Sequence, residues 1–463
     1  MGKTKRYNVE RIVNLITDQT KAVRKHCNAD NFIRVLRRCF QAIPDHRQAG
    51  KTSIALDDAL MSAYAMFSLK DPSLLAFENR RLNEPENLRS VFGIETIASD
   101  TQMRDILDPL PPKELRSGFA AVFRILQRGK DLEAMTCLGG HYLISGDGTG
   151  FYYSTKVGND FCLSKKGKNG ESAYYQQMYA AAIVHPDKRE VIPLCPEMIS
   201  KQDGSNKQDC ERAAAQRFWR EFRREHPHLP VIVTEDALSS NAPHIRELKA
   251  LNLRFILGVK PGDHQFLFEQ ADAAVKAGKA TEFTMADPKD PKKYHGFRFV
   301  NGLPLNKSNQ DLQVNLLEYW QIDDKGKEMR FAWVTDLEIT RENAYEIMRA
   351  GRARWRIENE TFNTLKNQGY HLGHNYGLGK THLSMVFTTL MMLAFLVDQA
   401  QQLGCWLFRK AWEKAGSKRQ LWENVRSRFR EFPVDSMETL YRSIAFGIKG
   451  YVVEVIEPDD VMT

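Results

Sequence analysis

The sequence is short of the features that mark secreted, membrane-spanning or metal-stapled chains. Its seven cysteines are Cys27, Cys39, Cys137, Cys162, Cys195, Cys210 and Cys405. The number is odd and no Cys-x-x-Cys pair occurs, which argues against a disulfide framework and against a zinc finger. The opening stretch MGKTKRYNVERIVNL has no apolar core of the signal-peptide kind. Arg6 stands where a myristoylation signal needs Ser or Thr. The most apolar run, MVFTTLMMLAFLV at 385–397, is shorter than a bilayer crossing and reads as a buried helix. No internal repeat and no low-complexity tract occurs. GLGK at 377–380 lacks the upstream glycine and the preceding strand of a phosphate-binding loop. These absences set the expectation of a cytoplasmic, reducing compartment and no membrane partner.

What is present is an ordinary globular composition on a basic background. Of 463 residues, 42% are hydrophobic and 27% charged, enough for a sizeable core and two to four domains. The net charge of +8 is compatible with a nucleic-acid partner without requiring one.

Residues 1–135 read as helical. NADNFIRVLRRCFQAI and PPKELRSGFAAVFRILQR both space apolar residues by three and four. Lys3, Lys5, Arg6, Arg34, Arg37, Arg38, Arg80 and Arg81 fall in this region. They fit either a DNA-binding face or a plainly solvated one. From residue 141 the pattern changes. HYLISGDGTGFYYS, YYQQMYAAAIVHP and REVIPLCPEMI read as three strands in meander. NKQDCERAAAQRFWREFRREH then reads as a helix, LPVIVTEDAL as a strand, NAPHIRELKAL as a helix and RFILGVK as a strand. That element order is the one of an RNase H-like α/β fold, a mixed sheet flanked by helices. Such a sheet brings strand-end acids together. Residues 262–337 read as a β-rich insertion containing ATEFTM, HGFRFV, VNLLEYWQI and MRFAWVTDL. Helical pattern resumes at Thr340. The expected division is a helical DNA-binding region at 1–135, a catalytic core at 136–261 and 338–385, the insertion at 262–337, and a helical C-terminal region at 386–463 suited to dimerisation.

The stretch RARWRIENETFNTLK at 352–366 sets Glu358 and Glu360 among basic residues. On a regular helix with Trp355 at the origin, Phe362 falls at roughly 340°, Glu358 at roughly 300°, Leu365 at roughly 280°, Arg354 at roughly 260° and Lys366 at roughly 20°. Glu360 points to the opposite side, at roughly 140°. Glu358 thus shares a face with large apolar groups, where a lone carboxylate costs several kcal/mol unless paired or bound to metal. Two readings stay open. In one, Arg354 pairs with Glu358 across a turn. In the other, Glu358 is a metal ligand and Glu360 is solvated.

Asp147 in SGDGTG, Asp236 in VTEDALSSN and Glu358 in RWRIENE form a carboxylate set suited to Mg²⁺ or Mn²⁺. With DGTGFYYS, YYQQMYAAAIVHPDKREVIPL, QDGSNKQDCERAAA, TEDALSSNAP, RARWRIENETFNTLKNQGYHLGHNYG and GKTHLS, residues 140–400 resemble a DDE transposase of a bacterial insertion sequence. The branch is the one with a β-strand insertion before the catalytic Glu. The resemblance implies that Asp147, Asp236 and Glu358 are the catalytic and metal-binding acids, holding two Mg²⁺ or Mn²⁺ ions. It implies that Arg354 and Lys366 contact the phosphates of the transposon end. It also implies double-stranded DNA partners, namely inverted-repeat ends and a target, a homodimer on paired ends, and a bacterial, nucleoid-associated location. Two positions depart from the family pattern. Gly351 stands where a Tyr is usual, and Leu365 occupies the usual Lys position with Lys366 following. The first leaves a DNA hairpin step open. The second leaves Glu360 as an alternative partner for Lys366.

Other signals are weaker. His371, His374 and His382 have no further ligand at zinc spacing. Trp320 and Trp333 either stack on a flipped base, as relatives imply, or pack in the insertion's own core. Strand alternation turns Glu235 away from Asp236. Asp203 and Asp209 read as capping or solvated acids. The alternatives to a transposase are a domesticated or inactive DNA-binding derivative, and an RNase H-like nuclease without joining activity.

Overall fold

The computed structural model describes residues 26–448 apart from 49, 51, 168–169, 201–209 and 323–327. Lys3, Lys5, Arg6, Asp203 and Asp209, singled out in the sequence, lie outside the described residues.

Six helices come first: α1 (Ala29–Gln41), α2 (Leu56–Ser68), α3 (Leu74–Asn83), α4 (Pro85–Phe92), α5 (Asp100–Leu107) and α6 (Arg116–Arg128). Their starts reflect local chemistry. Asn28, Ser73 and Ser99 accept backbone N–H groups as N-caps, and Ser99 forms a reciprocal capping box with Gln102. Much of the positive charge here is internally neutralised. Arg37 pairs with Asp57 and Asp58, Arg80 with Asp71 and Glu84, and Arg81 with Glu78. Arg34 and Arg38 remain exposed.

The sheet comes next: β1 (His141–Ser154), β2 (Leu163–Lys166), β3 (Ser172–His185), β4 (Lys188–Pro193), β5 (Glu197–Ile199), then α7 (Glu211–Glu225), β6 (Val231–Glu235), α8 (Ala242–Ala250) and β7 (Arg254–Gly258). β1 runs antiparallel to β3, and β2, β5 and β4 pair in turn along the outer edge of β3. β6 joins the other side of β1 in parallel, and β7 joins β6 in parallel. An antiparallel meander followed by two parallel strands on the first strand's free edge is the RNase H-like arrangement anticipated from the element order. β6 is buried at every position. A parallel strand covered on both faces reads as a continuous apolar run for that reason.

Beyond β7 lie α9 (Gln265–Lys276), β8 (Thr281–Ala286), β9 (Tyr294–Asn306), β10 (Asn309–Ile322) and β11 (Glu328–Thr335). All four strands anticipated at 262–337 are present. The helix α9 was not anticipated, because its apolar face is narrow, with only Leu267 and Ala271 buried. β11 pairs antiparallel with β7, so the insertion extends the same sheet rather than forming a separate one. Among the described residues the sheet has twelve strands, counting the two-residue Thr136–Cys137.

The chain then forms α10 (Ala344–Ala353), a π-helical turn at Ile357–Phe362, α11 (Asn363–Asn367), and the helices α12 (Leu383–Gly404), α13 (Trp406–Ala415), α14 (Lys418–Glu431) and α15 (Met437–Phe446). With 22 residues, α12 is longer than its most apolar run, long and apolar enough by itself to cross a membrane. Its apolar window is wholly buried inside the protein. A helix hydrophobic all round must be covered on all sides, and α12 packs against α2, α6 and β4, joining the N-terminal helices to the sheet. A buried ion pair sits in that core. The Lys70 ammonium lies 2.6 Å from Asp398 on α12, over the rings of Tyr370 and Trp422 at 4.5 and 4.3 Å. The Tyr370 hydroxyl donates to the same carboxylate.

Candidate active site

Asp147 lies within β1 and Asp236 comes directly after the last residue of β6. The parallel register sets Ser145 beside Thr234. Two residues further along each strand are Asp147 and Asp236, on adjacent strands about 4.8 Å apart. Asp236 is held by its local turn, its carboxylate accepting from the Leu238 N–H at 2.9 Å. Asp147 accepts from the Gly148 N–H at 2.8 Å.

The Glu358 segment is fastened over this pair. The Ser145 hydroxyl donates to the Arg354 carbonyl at 3.1 Å, tying the helix to β1 two residues before Asp147. Arg354 then reaches both acids, 2.8 Å from Glu358 and 3.7 Å from Asp147. Glu360 points elsewhere and pairs with Arg356 at 3.1 Å. Burial pushes the Asp147 carboxyl up from 3.8 to about 6; the Gly148 N–H and Arg354 oppose this, while Glu358 and Asp236 add to it. Asp147, Asp236 and Glu358 therefore share one electrostatic neighbourhood. Lys366 is exposed on α11.

The helix is not the regular one assumed from the sequence. Residues 357–362 form a π turn, whose wider i→i+5 bonds shift the phase of the turns on either side. Trp355, expected among the apolar residues, is 49% exposed, while Phe362 and Leu365 are buried as expected. Insertions of this kind are frequent at functional sites.

A fourth carboxylate escaped the sequence reading. Glu211, the first residue of α7, lies against Gly148 of β1, on the face opposite Ser145. A Cβ on Gly148 would meet the Glu211 carboxylate, so a larger residue there would displace that side chain. Burial raises the Glu211 carboxyl from 4.5 to about 7, and Asp147, Asp236 and Glu235 raise it further. Gly146 has the same logic, since a Cβ there would collide with the Tyr179 hydroxyl. That hydroxyl donates to Glu235, which is buried, as the alternation of β6 implied, on the side away from Asp236. Trp219 and His244 also pair with Glu235, at 3.0 and 2.7 Å. The glycines of SGDGTG were thus a legible signal of close approach, although their partners were not.

Hard carboxylate oxygens are the donor chemistry that Mg²⁺ and Mn²⁺ prefer. Among the described residues, no three such groups stand close enough to hold an ion together. The Arg354 guanidinium spans Asp147 and Glu358 instead. Of the two readings of the sequence, the Arg354–Glu358 pair is present, and its cation also reaches Asp147.

One departure from the expected pattern, Gly351, has a physical basis. A Cβ on Gly351 would lie 2.4 Å from Trp333 Nε1, so the indole from β11 packs where a larger side chain at 351 would stand. Trp333 is 5% exposed and is spent in that contact. Trp320 lies against Gly296 of β9. The turn GLGKTHL wraps a carboxylate of its own chain: Asp108 accepts from the N–H groups of Lys380, Thr381, His382 and Leu383. His382 packs tilted against Phe161 and His374 edge-on against Tyr376, and no histidine metal cluster occurs among the described residues.

Residues 130–396, more than half of the chain, match the family model described as the transposase DDE domain. No curated protein matches. Among solved structures, the chain is similar to that in the cryo-EM structure of the piggyBac transposase synaptic complex with hairpin DNA. The identity is 11% and the TM-score 0.39, over 95% of this chain and 87% of that one. At that level the fold assignment rests on the strand order and register described above.

Proposed function

The chain belongs to the transposase DDE domain family, and from that premise we propose that it is a cut-and-paste transposase acting on the inverted-repeat ends of its own element. The observation that carries this reading is the register of β1 and β6, which sets Asp147 beside Asp236 under the Glu358 segment.

In this reading Asp147, Asp236 and Glu358 would be the residues that hold two Mg²⁺ or Mn²⁺ ions, with Arg354 turned from the acids to the DNA. Ions held there would supply activation of an attacking oxygen and stabilisation of a leaving one in in-line phosphoryl transfer. Asp147 must lose its proton before it can ligate, so burial of that carboxyl sets the acid limit of the site. Arg354, freed from Glu358, offers a guanidinium fork to a DNA phosphate, and Lys366 adds a second cation from the exposed side of α11. Water first cleaves the strand and leaves a 3′-hydroxyl; that hydroxyl then attacks a target phosphodiester. The second step exchanges one phosphodiester for another and needs no nucleotide hydrolysis. Pairing of two ends calls for a homodimer.

The test is a strand-transfer assay with end DNA, a target plasmid and Mg²⁺ or Mn²⁺. Wild type is expected to join ends to target. Glu358→Gln is expected to abolish joining while sparing end binding, and Glu360→Gln to retain it. Loss of joining in Glu360→Gln alone would move the catalytic role to that residue. Cleavage without joining would make the protein a nuclease, and end binding without cleavage would make it a binding derivative.

A further inference from the structure

Three cations converge on one hairpin turn outside the candidate active site. Pro186 and Asp187 form the turn between β3 and β4. The Asp187 carboxylate takes Arg349 of α10 at 2.5 Å and Lys289, from the connection between β8 and β9, at 3.1 Å. Arg349 and Lys289 hold that carboxyl well below the usual carboxylate range. The Arg356 guanidinium, paired with Glu360, also donates to the Pro186 carbonyl at 3.4 Å. Arg349 and Arg356 are seven residues apart, about two helical turns, and both reach the same hairpin turn. Glu358 follows Arg356 by two residues. Exposed ion pairs add little to stability, and the Asp187 and Lys289 side chains are 44% and 79% exposed. Holding the fold together therefore does not account for the convergence.

We propose that this turn is a positioning element for Glu358: Asp187 and the Pro186 carbonyl, acting through Arg349 and Arg356, set the angle at which the helical segment presents Glu358 to Asp147. The inference rests on the transposase reading, because it takes both acids as ligands, and it adds positioning residues to that site. Ile347, Met348, Ile357, Phe362 and Leu365 bury the segment's apolar side. Apolar contact is non-directional, so it sets the depth of the segment rather than its rotation. The π turn leaves that rotation less determined, since the hydrogen-bond ladder changes period from Ile357. On the sheet side, the Ser145 hydroxyl pins the backbone at Arg354. A second pin, away from the first, stops the segment swivelling about it. Lys289 brings the insertion to the same carboxylate, so the insertion and the Glu358 segment share one anchor.

The full chain, with labelled end DNA and Mn²⁺, tests this through three readouts: the single-turnover cleavage rate, the affinity for end DNA, and the rise in thermal midpoint that Mn²⁺ gives without DNA. Asp187→Ala and Arg349→Ala are each expected to slow cleavage by about 10- to 100-fold, the scale of loss that a misplacement of about 1 Å brings. The Mn²⁺-induced rise should shrink in both, while end binding and the metal-free midpoint stay at their wild-type values. The double variant should be no slower than the slower single one, because both remove the same contact. Asp187→Glu should keep most of the rate. Arg356→Lys, which can still donate to the Pro186 carbonyl, should cleave faster than Arg356→Ala. Cleavage at the wild-type rate by Asp187→Ala, or losses that add in the double variant, overturns the positioning role and leaves the transposase reading standing. A metal-free midpoint that falls in step with the rate makes the turn a structural support and also overturns it. Wild type that cleaves no end DNA overturns both.

Discussion

Replacing Asp147 with Asn should stabilise the metal-free protein while disabling it. Burial raises the Asp147 carboxyl from 3.8 to about 6, despite the Gly148 N–H and Arg354. At 1.36 kcal/mol per pKa unit, keeping it ionised costs the fold about 3 kcal/mol. Proton counts give the direction. Below 3.8 both folded and unfolded chains hold the proton and the cost is absent. Between there and about 6 the folded chain holds a proton that the unfolded chain has lost, so stability falls as pH rises. Above about 6 the full cost applies. Asp147→Asn carries no charge, so near pH 8 it should exceed wild type by up to about 3 kcal/mol, and the difference should vanish near pH 4. Added Mg²⁺ or Mn²⁺ should stabilise wild type near pH 8 and much less near pH 5, and should do little for the Asn variant. Urea unfolding across that pH range, with and without the ion, measures both effects. An Asn variant less stable than wild type near pH 8 without metal would refute the electrostatic account. Equal stabilisation of both proteins by the ion would refute the assignment of Asp147 as a ligand.

Other perturbations read other parts of the structure. Glu211, raised to about 7, is largely protonated where Asp147 titrates at about 6, so Glu211→Gln should leave the acid limb of a DNA-cleavage pH profile nearly in place; a clear move to lower pH would show that Glu211 is charged there. Gly351→Ala should cost about 1–3 kcal/mol by overpacking against Trp333, and the penalty should disappear in a Trp333→Ala background, as a double-mutant cycle of unfolding free energies would reveal. Asp398→Asn leaves the buried Lys70 ammonium uncompensated and should cost about 3–5 kcal/mol, read as a lower urea midpoint.

Much of the fold was legible because its patterns are local. The meander, the two core strands and the insertion strands announced themselves by alternation and by turn residues. Asp147 could be picked out because it stands between glycines in a strand pattern, and Asp236 because it follows an apolar strand and opens a turn; the structure puts Asp147 in the middle of β1 rather than at a strand end. Glu211 could not be picked out. It heads an amphipathic helix where an acid is ordinary, and only the packing of α7 on Gly148 brings it near Asp147. The angular argument at 352–366 failed for Trp355 because a single π turn breaks the 100° increment, and nothing in residue type reveals such a turn.

The sequence by itself determined the order of elements, the basic helix with its two acids, and the segments at 130–396 that tie the chain to its family. Those are properties of neighbouring residues, fixed by side-chain period and backbone preference. The tertiary structure decided which acids meet. The parallel register of β1 and β6, which ends at Ser145 and Thr234, leaves Asp147 and Asp236 on neighbouring segments, the Ser145 bond to Arg354 brings Glu358 near Asp147, and the ion pair to Arg356 turns Glu360 away. It also decided that Trp333 fills the space beside Gly351 and that Asp108 occupies the GLGKTHL turn. Each of those contacts joins residues far apart in the chain, and strand register and helix packing, which no local pattern encodes, are what bring them within reach.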